Sequence, residues 1–254
     1  MHDVATSGLA EMDYLIADRW LSPRRSTEFF RERVLRLPCF PIFDPPNDLP
    51  PAENREEGPP VFGCFNNPAK ITPSVLALWG RILAAIPKAK LTLKYHYAYR
   101  SEGLRTHFLS LLTAAGATPD QVNFLQDKEA LFETLKRYND VDVALDCFPF
   151  SGSTTSFQAL SMGVPVVTWP QDRMVSRWSE TMLRTIGLEE LVANSGDEYV
   201  RLAFDLANDM ASWRERRQEI RSRVANSSLC NGGRWAKNIE RLYRAVWRKH
   251  CAAR

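Results

Sequence analysis

From residue 61 onward the chain alternates apolar runs of strand length with stretches of helical spacing, and few folds accept that pattern. Strand candidates fall at residues 61–65, 91–95, 122–125, 141–148 and 164–169. Helix candidates lie between them, and three or four more follow the last strand. The helix after the first strand is well marked: Thr72 is an N-cap, Pro73 takes the first helical position, and Val75, Trp79, Ile82 and Ile86 recur at helical spacing. Strands that alternate with helices pair in parallel and need covering on both faces. The expected fold is therefore an open, Rossmann-like α/β sheet with helices on both sides.

The most distinctive junction in that series is Asp146-Cys-Phe-Pro-Phe-Ser-Gly-Ser-Thr-Thr155. A buried strand ends in a turn of Pro, Ser and Gly, which runs through Ser153, Thr154 and Thr155 into a helix. Gly163-Val-Pro-Val-Val-Thr168 then starts the next strand. Such a turn aims free N–H groups, hydroxyls and the positive end of a helix dipole at one point, where a phosphate can sit. The plainer role of these hydroxyls is to cap the helix. A second loop, Asn66-Asn-Pro-Ala-Lys70, leaves the carboxyl end of the first strand. Ligands of open α/β sheets bind at those ends, so Asn67 and Lys70 become candidate contacts for the same anion. An ammonium and a helix N-terminus converging on a pyrophosphate would stabilise a departing diphosphate without a metal.

Composition removes several other classes. With 44% hydrophobic residues the 254-residue chain can bury a core, and a net charge of +3 does not call for a nucleic-acid surface. Cys39, Cys64, Cys147, Cys230 and Cys251 are scattered, odd in number and lack a CxxC pair, so they read as reduced thiols rather than a zinc site or disulfide frame. No leader or membrane-spanning run is apparent, and the expected location is cytoplasmic.

Residues 14–17 read as an extended segment and residues 26–35 as a short helix. Residues 38–60, dense in Pro, Asn, Asp and Glu, read as a linker.

Several ordered segments resemble the O-linked N-acetylglucosamine transferase and SPINDLY-like proteins, glycosyltransferase family 41. They are Phe62-Gly-Cys-Phe-Asn-Asn67, Ala69-Lys-Ile-Thr-Pro73, Leu145-Asp146, Gly152-Ser-Thr-Thr155 and Met162-Gly-Val-Pro-Val-Val-Thr168. Thr6-Ser-Gly8 with Met12-Asp-Tyr-Leu-Ile-Ala-Asp18 resembles the close of that family's N-terminal lobe, and Glu240-Arg-Leu-Tyr243 to Trp247 its last helix. The resemblance implies the C-terminal, donor-binding lobe of a GT-B enzyme. It divides the chain into a remnant of the N-terminal lobe (1–45), a Pro-rich linker (46–60), a nucleotide-sugar-binding lobe (61–225) and a C-terminal helix packing toward the hinge or the other lobe (226–254).

By the same resemblance, a UDP-sugar, N-acetylglucosamine above all, is passed with inversion to Ser or Thr hydroxyls of a protein. The UDP-sugar is a co-substrate, and no cofactor, metal, nucleic acid or membrane is implied. Lys70 corresponds to the lysine that assists diphosphate departure, and Ser153, Thr154 and Thr155 to the phosphate cradle. Arg137 corresponds to an arginine near the base and diphosphate. Gln158 stands where an acidic residue usually holds the ribose. The chain departs from the family there, and again where Ser153 and Thr134 replace frequent histidines and Ala69 an aromatic. A partner chain carrying the N-terminal lobe or tetratricopeptide repeats is expected to complete the enzyme. The alternative is a non-catalytic lobe that binds a UDP-sugar or a partner.

Other residues have plainer readings. His96 and His107 lack a paired carboxylate at fixed spacing, and Asp146 suits a turn cap. Arg214, Arg216, Arg217, Arg221 and Arg223 read as a solvated helix face, and Trp235, Ile239, Leu242, Tyr243 and Val246 as a packing stripe left partly uncovered without the other lobe.

Overall fold

The computed structural model describes residues 5–46, 48–53, 55 and 58–252. Of the segments expected above, Met1–Val4, positions 47, 54, 56 and 57 of the linker and positions 253 and 254 of the C-terminal segment lie outside the described residues.

Five strands form one parallel sheet: β3 (Val61–Cys64), β4 (Lys90–Lys94), β5 (Val122–Leu125), β6 (Val143–Leu145) and β7 (Val166–Val167). Their order is β5-β4-β3-β6-β7. From β3 the chain steps outward through β4 to β5, then returns to place β6 on the other side of β3. The switch point therefore lies between β3 and β6, where Phe62 pairs with Val143 and Gly63 with Ala144. Gly63 is required there, because a Cβ would stand 2.8 Å from the Val141 methyls.

Helices α1 (Pro73–Ala85), α2 (Glu102–Ala114), α3 (Leu131–Lys136) and α4 (Thr154–Ser161) connect these strands. Thr72 caps α1 as expected, accepting from the Val75 N–H at 3.4 Å. The inner face of α1 buries Val75, Leu76, Trp79, Ile82 and Leu83, each contributing about 2 kcal/mol of hydrophobic stabilisation. After β7 come α5 (Trp178–Ile186), α6 (Gly196–Asn208), α7 (Met210–Glu215), α8 (Arg217–Ala225) and α9 (Gly232–Ala252), one more than expected, since the chain turns at Arg216 between α7 and α8. No helix among the described residues is long and apolar enough to cross a membrane.

Two expectations need correction. The short helix at residues 26–35 is absent; β2 (Arg33–Leu37) forms instead and pairs in parallel with β1 (Tyr14–Asp18), from Tyr14 opposite Arg33 to Asp18 opposite Leu37. That pairing satisfies the backbone of both segments outside the main sheet. Nor do the arginines near α8 form a solvated face. Arg217 is buried and donates to the carbonyls of Glu53, Tyr138 and Val141. Arg214 pairs with buried Asp142 at 2.8 Å, and Arg221 donates to the Pro50 carbonyl at 2.8 Å. These bonds, with Arg55 on Asp142, strap the proline-rich segment against the lobe. A guanidinium fork suits such a site because it can serve several carbonyls at once.

The stripe on α9 is only half covered: Trp235, Ile239, Leu242 and Val246 are partly buried and Tyr243 is exposed. Trp235 donates to the Phe40 carbonyl at 2.9 Å, but Tyr243 and Trp247 are exposed and no residue of the helix is buried.

Candidate functional site

The loops leaving β3 and β6 meet over the switch point. Pro68–Lys70 forms a single 3-10 turn, capped by Asn67, whose side-chain oxygen accepts from the Ala69 N–H at 3.0 Å. That turn sends Lys70 toward the other loop. Its ammonium donates to the Ser151 carbonyl at 3.1 Å and lies 3.9 Å from the centre of the Phe150 ring. Burial holds the Lys70 pKa below its ordinary value, against the pull of the nearby Asp146 carboxylate.

Asp146 organises the second loop and is a turn cap rather than a cleft residue. One oxygen accepts from the N–H groups of Cys147 and Gly152 at 2.9 and 2.6 Å, and the other from Thr168 Oγ1 at 2.7 Å. Burial pushes its carboxyl pKa up, while those hydrogen bonds oppose the shift. Trp79 Nε1 donates to Tyr199 Oη, which donates to the Asp146 carbonyl, so α1 and α6 brace the end of β6. The N-terminal side of α5 braces the turn: Ser151 Oγ accepts from the Trp178 N–H, and Ser179 Oγ donates to the Gly152 carbonyl. Gly152 has no room for a side chain, because a Cβ would fall on Ser156 Oγ and 2.9 Å from Thr155 Oγ1.

This framework points the N-terminus of α4 into a cavity of about 450 Å³. The first N–H groups of a helix have no partner within it. The Ser153 hydroxyl, also at this end, is buried without a hydrogen-bond partner among the described residues and does not cap the helix. Thr155 Oγ1 donates to Asn66 Oδ1 at 2.7 Å, joining the two loops. Gln158, one turn along α4 from Thr154, lines the cavity with Asn67, Lys70, Ser153, Thr154 and Thr155. Six of the seven residues singled out from the sequence therefore converge here.

Arg137 does not. It is exposed beyond α3 and outside the cavity lining, where its Nε and Nη2 donate to Glu129 Oε1 at 3.0 and 2.6 Å. That ion pair fixes it on the outer side of Glu129, whose own pKa it lowers.

Thr134, expected at the donor site in place of a histidine, lines the cavity, and so does His96 at the end of β4. Sequence reasoning missed the rest of that wall: Lys94, Tyr95, Glu129 and Leu131. The available signal was Lys94 itself, a charge closing an apolar strand. His107, by contrast, is exposed on α2. Beneath the site Cys64 and Cys147 lie with sulfurs 3.7 Å apart; the contact with Cys64, with burial, raises the Cys147 thiol pKa.

An open parallel sheet whose β3 and β6 loops meet over its switch point defines a Rossmann-like α/β lobe. The solved structure of sucrose-phosphate synthase from Thermosynechococcus elongatus shares this fold, with a TM-score of 0.55 over 93% of this chain and 59% of that one at 18% identity. A mutant of the O-GlcNAc transferase of Thermobaculum terrenum superposes with a TM-score of 0.88 at 37% identity, over 99% of this chain and 48% of that chain. The family model for glycosyl transferase family 41 matches residues 54–239. The chain belongs to that family, and its architecture is the Rossmann-like C-terminal lobe of a GT-B glycosyltransferase. A tomato relative, a probable UDP-N-acetylglucosamine–peptide N-acetylglucosaminyltransferase SPINDLY, is 37% identical over 250 residues. That comparison covers 97% of this chain but only 27% of the relative, so the chain spans about a quarter of that protein's length.

Proposed function

We propose that this chain is the donor-binding lobe of a protein O-glycosyltransferase that takes a UDP-sugar, N-acetylglucosamine or a related hexose. The observation that carries this reading is the approach of Lys70 to Ser151 at 3.1 Å beside the open N-terminus of α4. A diphosphate between them would replace the Ser151 carbonyl as partner of the ammonium and accept from the first N–H groups of α4 and the hydroxyls of Ser153, Thr154 and Thr155. Gln158 would meet the ribose as a neutral partner.

As the bond from the anomeric carbon to the diphosphate breaks, negative charge grows on the leaving oxygen. Lys70 and the helix end are already in place to stabilise it, so little reorganisation is needed in the transition state. In this reading the acceptor hydroxyl attacks from the opposite face of the sugar and inverts the anomeric centre, with no metal required. The acceptor side, and the group that takes the hydroxyl proton, would come from an N-terminal lobe on the same or a partner chain, acting in the cytoplasm on Ser or Thr of proteins. A lobe that binds the nucleotide without turnover remains the second reading, favoured by neutral Gln158.

The test is calorimetric titration of UDP into the wild-type chain and into Lys70→Ala. The reading expects saturable binding without added metal, weakened about tenfold or more in the variant. A folded wild-type chain that does not bind UDP contradicts it.

A further inference from the structure

We propose that Lys94 reads the nucleobase, donating to a ring carbonyl at the β4–α3 wall of the cleft; the inference rests on the nucleoside-diphosphate reading above. Lys94 closes β4, and its side chain is only 4% exposed although it lines the cavity. Its ammonium lies 3.4 Å from Glu129 Oε2 and 3.4 Å from Thr134 Oγ1. Charge-assisted hydrogen bonds are normally shorter than this, and an ammonium has three donors to satisfy. Lys94 is thus a buried cation held loosely, with capacity for a further acceptor.

Glu129 is the positioning residue. Its other oxygen accepts from Arg137, so the carboxylate is anchored from outside and steadies Lys94 from within. Around the ammonium the wall is suited to a flat ring. Leu131 is 49% exposed at the cavity, and His96 sits there at φ +43°, in the left-handed region, with its ring 4.6 Å from that of Tyr95. Apolar and aromatic faces flanking one buried donor match a nucleobase carrying an edge carbonyl.

Location favours the base over the sugar. With the diphosphate on Lys70 and α4, the transferred sugar must face another molecule's hydroxyl. The wall containing buried Lys94 belongs to the interior of this lobe, which the nucleoside can occupy throughout the reaction. Uracil and guanine both present a ring carbonyl to such a donor; adenine has none.

The test is titration of UDP, GDP and ADP into wild type, Lys94→Met, Glu129→Gln and Lys70→Ala. The better of UDP and GDP should bind about tenfold or more tighter than ADP, and which of the two it is identifies the base. Lys94→Met should bring that ratio toward one, and Glu129→Gln should move it the same way by a smaller factor, which keeps the test open if the methionine variant does not fold. Lys70→Ala should weaken all three nucleotides alike, since it touches only what they share. The inference is overturned if wild type binds ADP as tightly as the oxo-base nucleotides, or if Lys94→Met weakens all three equally. Loss of all nucleotide binding by wild type would instead remove the diphosphate seat, and this inference with it.

Discussion

Thr155 Oγ1 donates to Asn66 Oδ1 across 2.7 Å, and with the Lys70–Ser151 bond it joins the loop after β3 to the turn and helix after β6. Lys70 rides on the first loop and the exposed N–H groups on the second. Together these bonds hold the gap into which the proposed diphosphate would fit.

Thr155→Val should remove the bond and leave the Asn66 carbonyl, in a buried side chain, without its donor. The expected cost is about 1–3 kcal/mol in unfolding free energy, with weaker UDP binding, and Thr155→Ser should restore most of both. Urea unfolding and calorimetry on the three proteins check this.

Lys70 gives a pH signature. Burial lowers its pKa from the ordinary 10.5, and only the protonated form can pair with a diphosphate. Affinity should therefore be full at neutral pH and fall as pH rises through that depressed value. In Lys70→Arg the guanidinium stays protonated and that alkaline limb should vanish. Dissociation constants for UDP across the alkaline range, wild type against variant, decide it, because the ligand's own titration is common to both.

Gly152 tolerates no Cβ, since the added carbon would collide with Ser156 and crowd Thr155. Gly152→Ala should displace the turn, cost about 1–3 kcal/mol in stability and weaken UDP more than it weakens the fold. Retained UDP affinity in this variant would detach the turn from the binding site.

Much of this was legible in the sequence. The alternation of apolar runs announces the parallel sheet, because both faces of its central strands β3 and β6 are buried. The Ser, Thr and Gly run after Asp146 announces the helix N-terminus. What the sequence hid depends on long-range partners. Residues 33–37 become a strand only because Tyr14–Asp18 lies beside them. Arg217 looks like any surface arginine until the carbonyls of Glu53, Tyr138 and Val141 surround it. Arg137, expected near the base and diphosphate, pairs with Glu129, which itself lines the cavity; no sequence pattern announces that partner.

Arg217 supplies a prediction of its own. Arg217→Lys keeps the charge but cannot serve three carbonyls from a fixed fork, and should destabilise the lobe by about 2–4 kcal/mol in urea unfolding. A change under about 0.5 kcal/mol would show that the strap is held by other contacts.

On α9, Tyr243 and Trp247 are 58% and 66% exposed. Replacing both with Ser should leave unfolding free energy within about 0.5 kcal/mol and UDP affinity unchanged, while reducing self-association by light scattering.

The most direct measurement is a crystal structure of the chain with UDP. The diphosphate is expected at the N-terminus of α4, with its oxygens within hydrogen-bond distance of the Lys70 ammonium and the N–H groups of Thr154 and Thr155. A diphosphate bound elsewhere, or Lys70 still donating to the Ser151 carbonyl with the nucleotide in place, would contradict it.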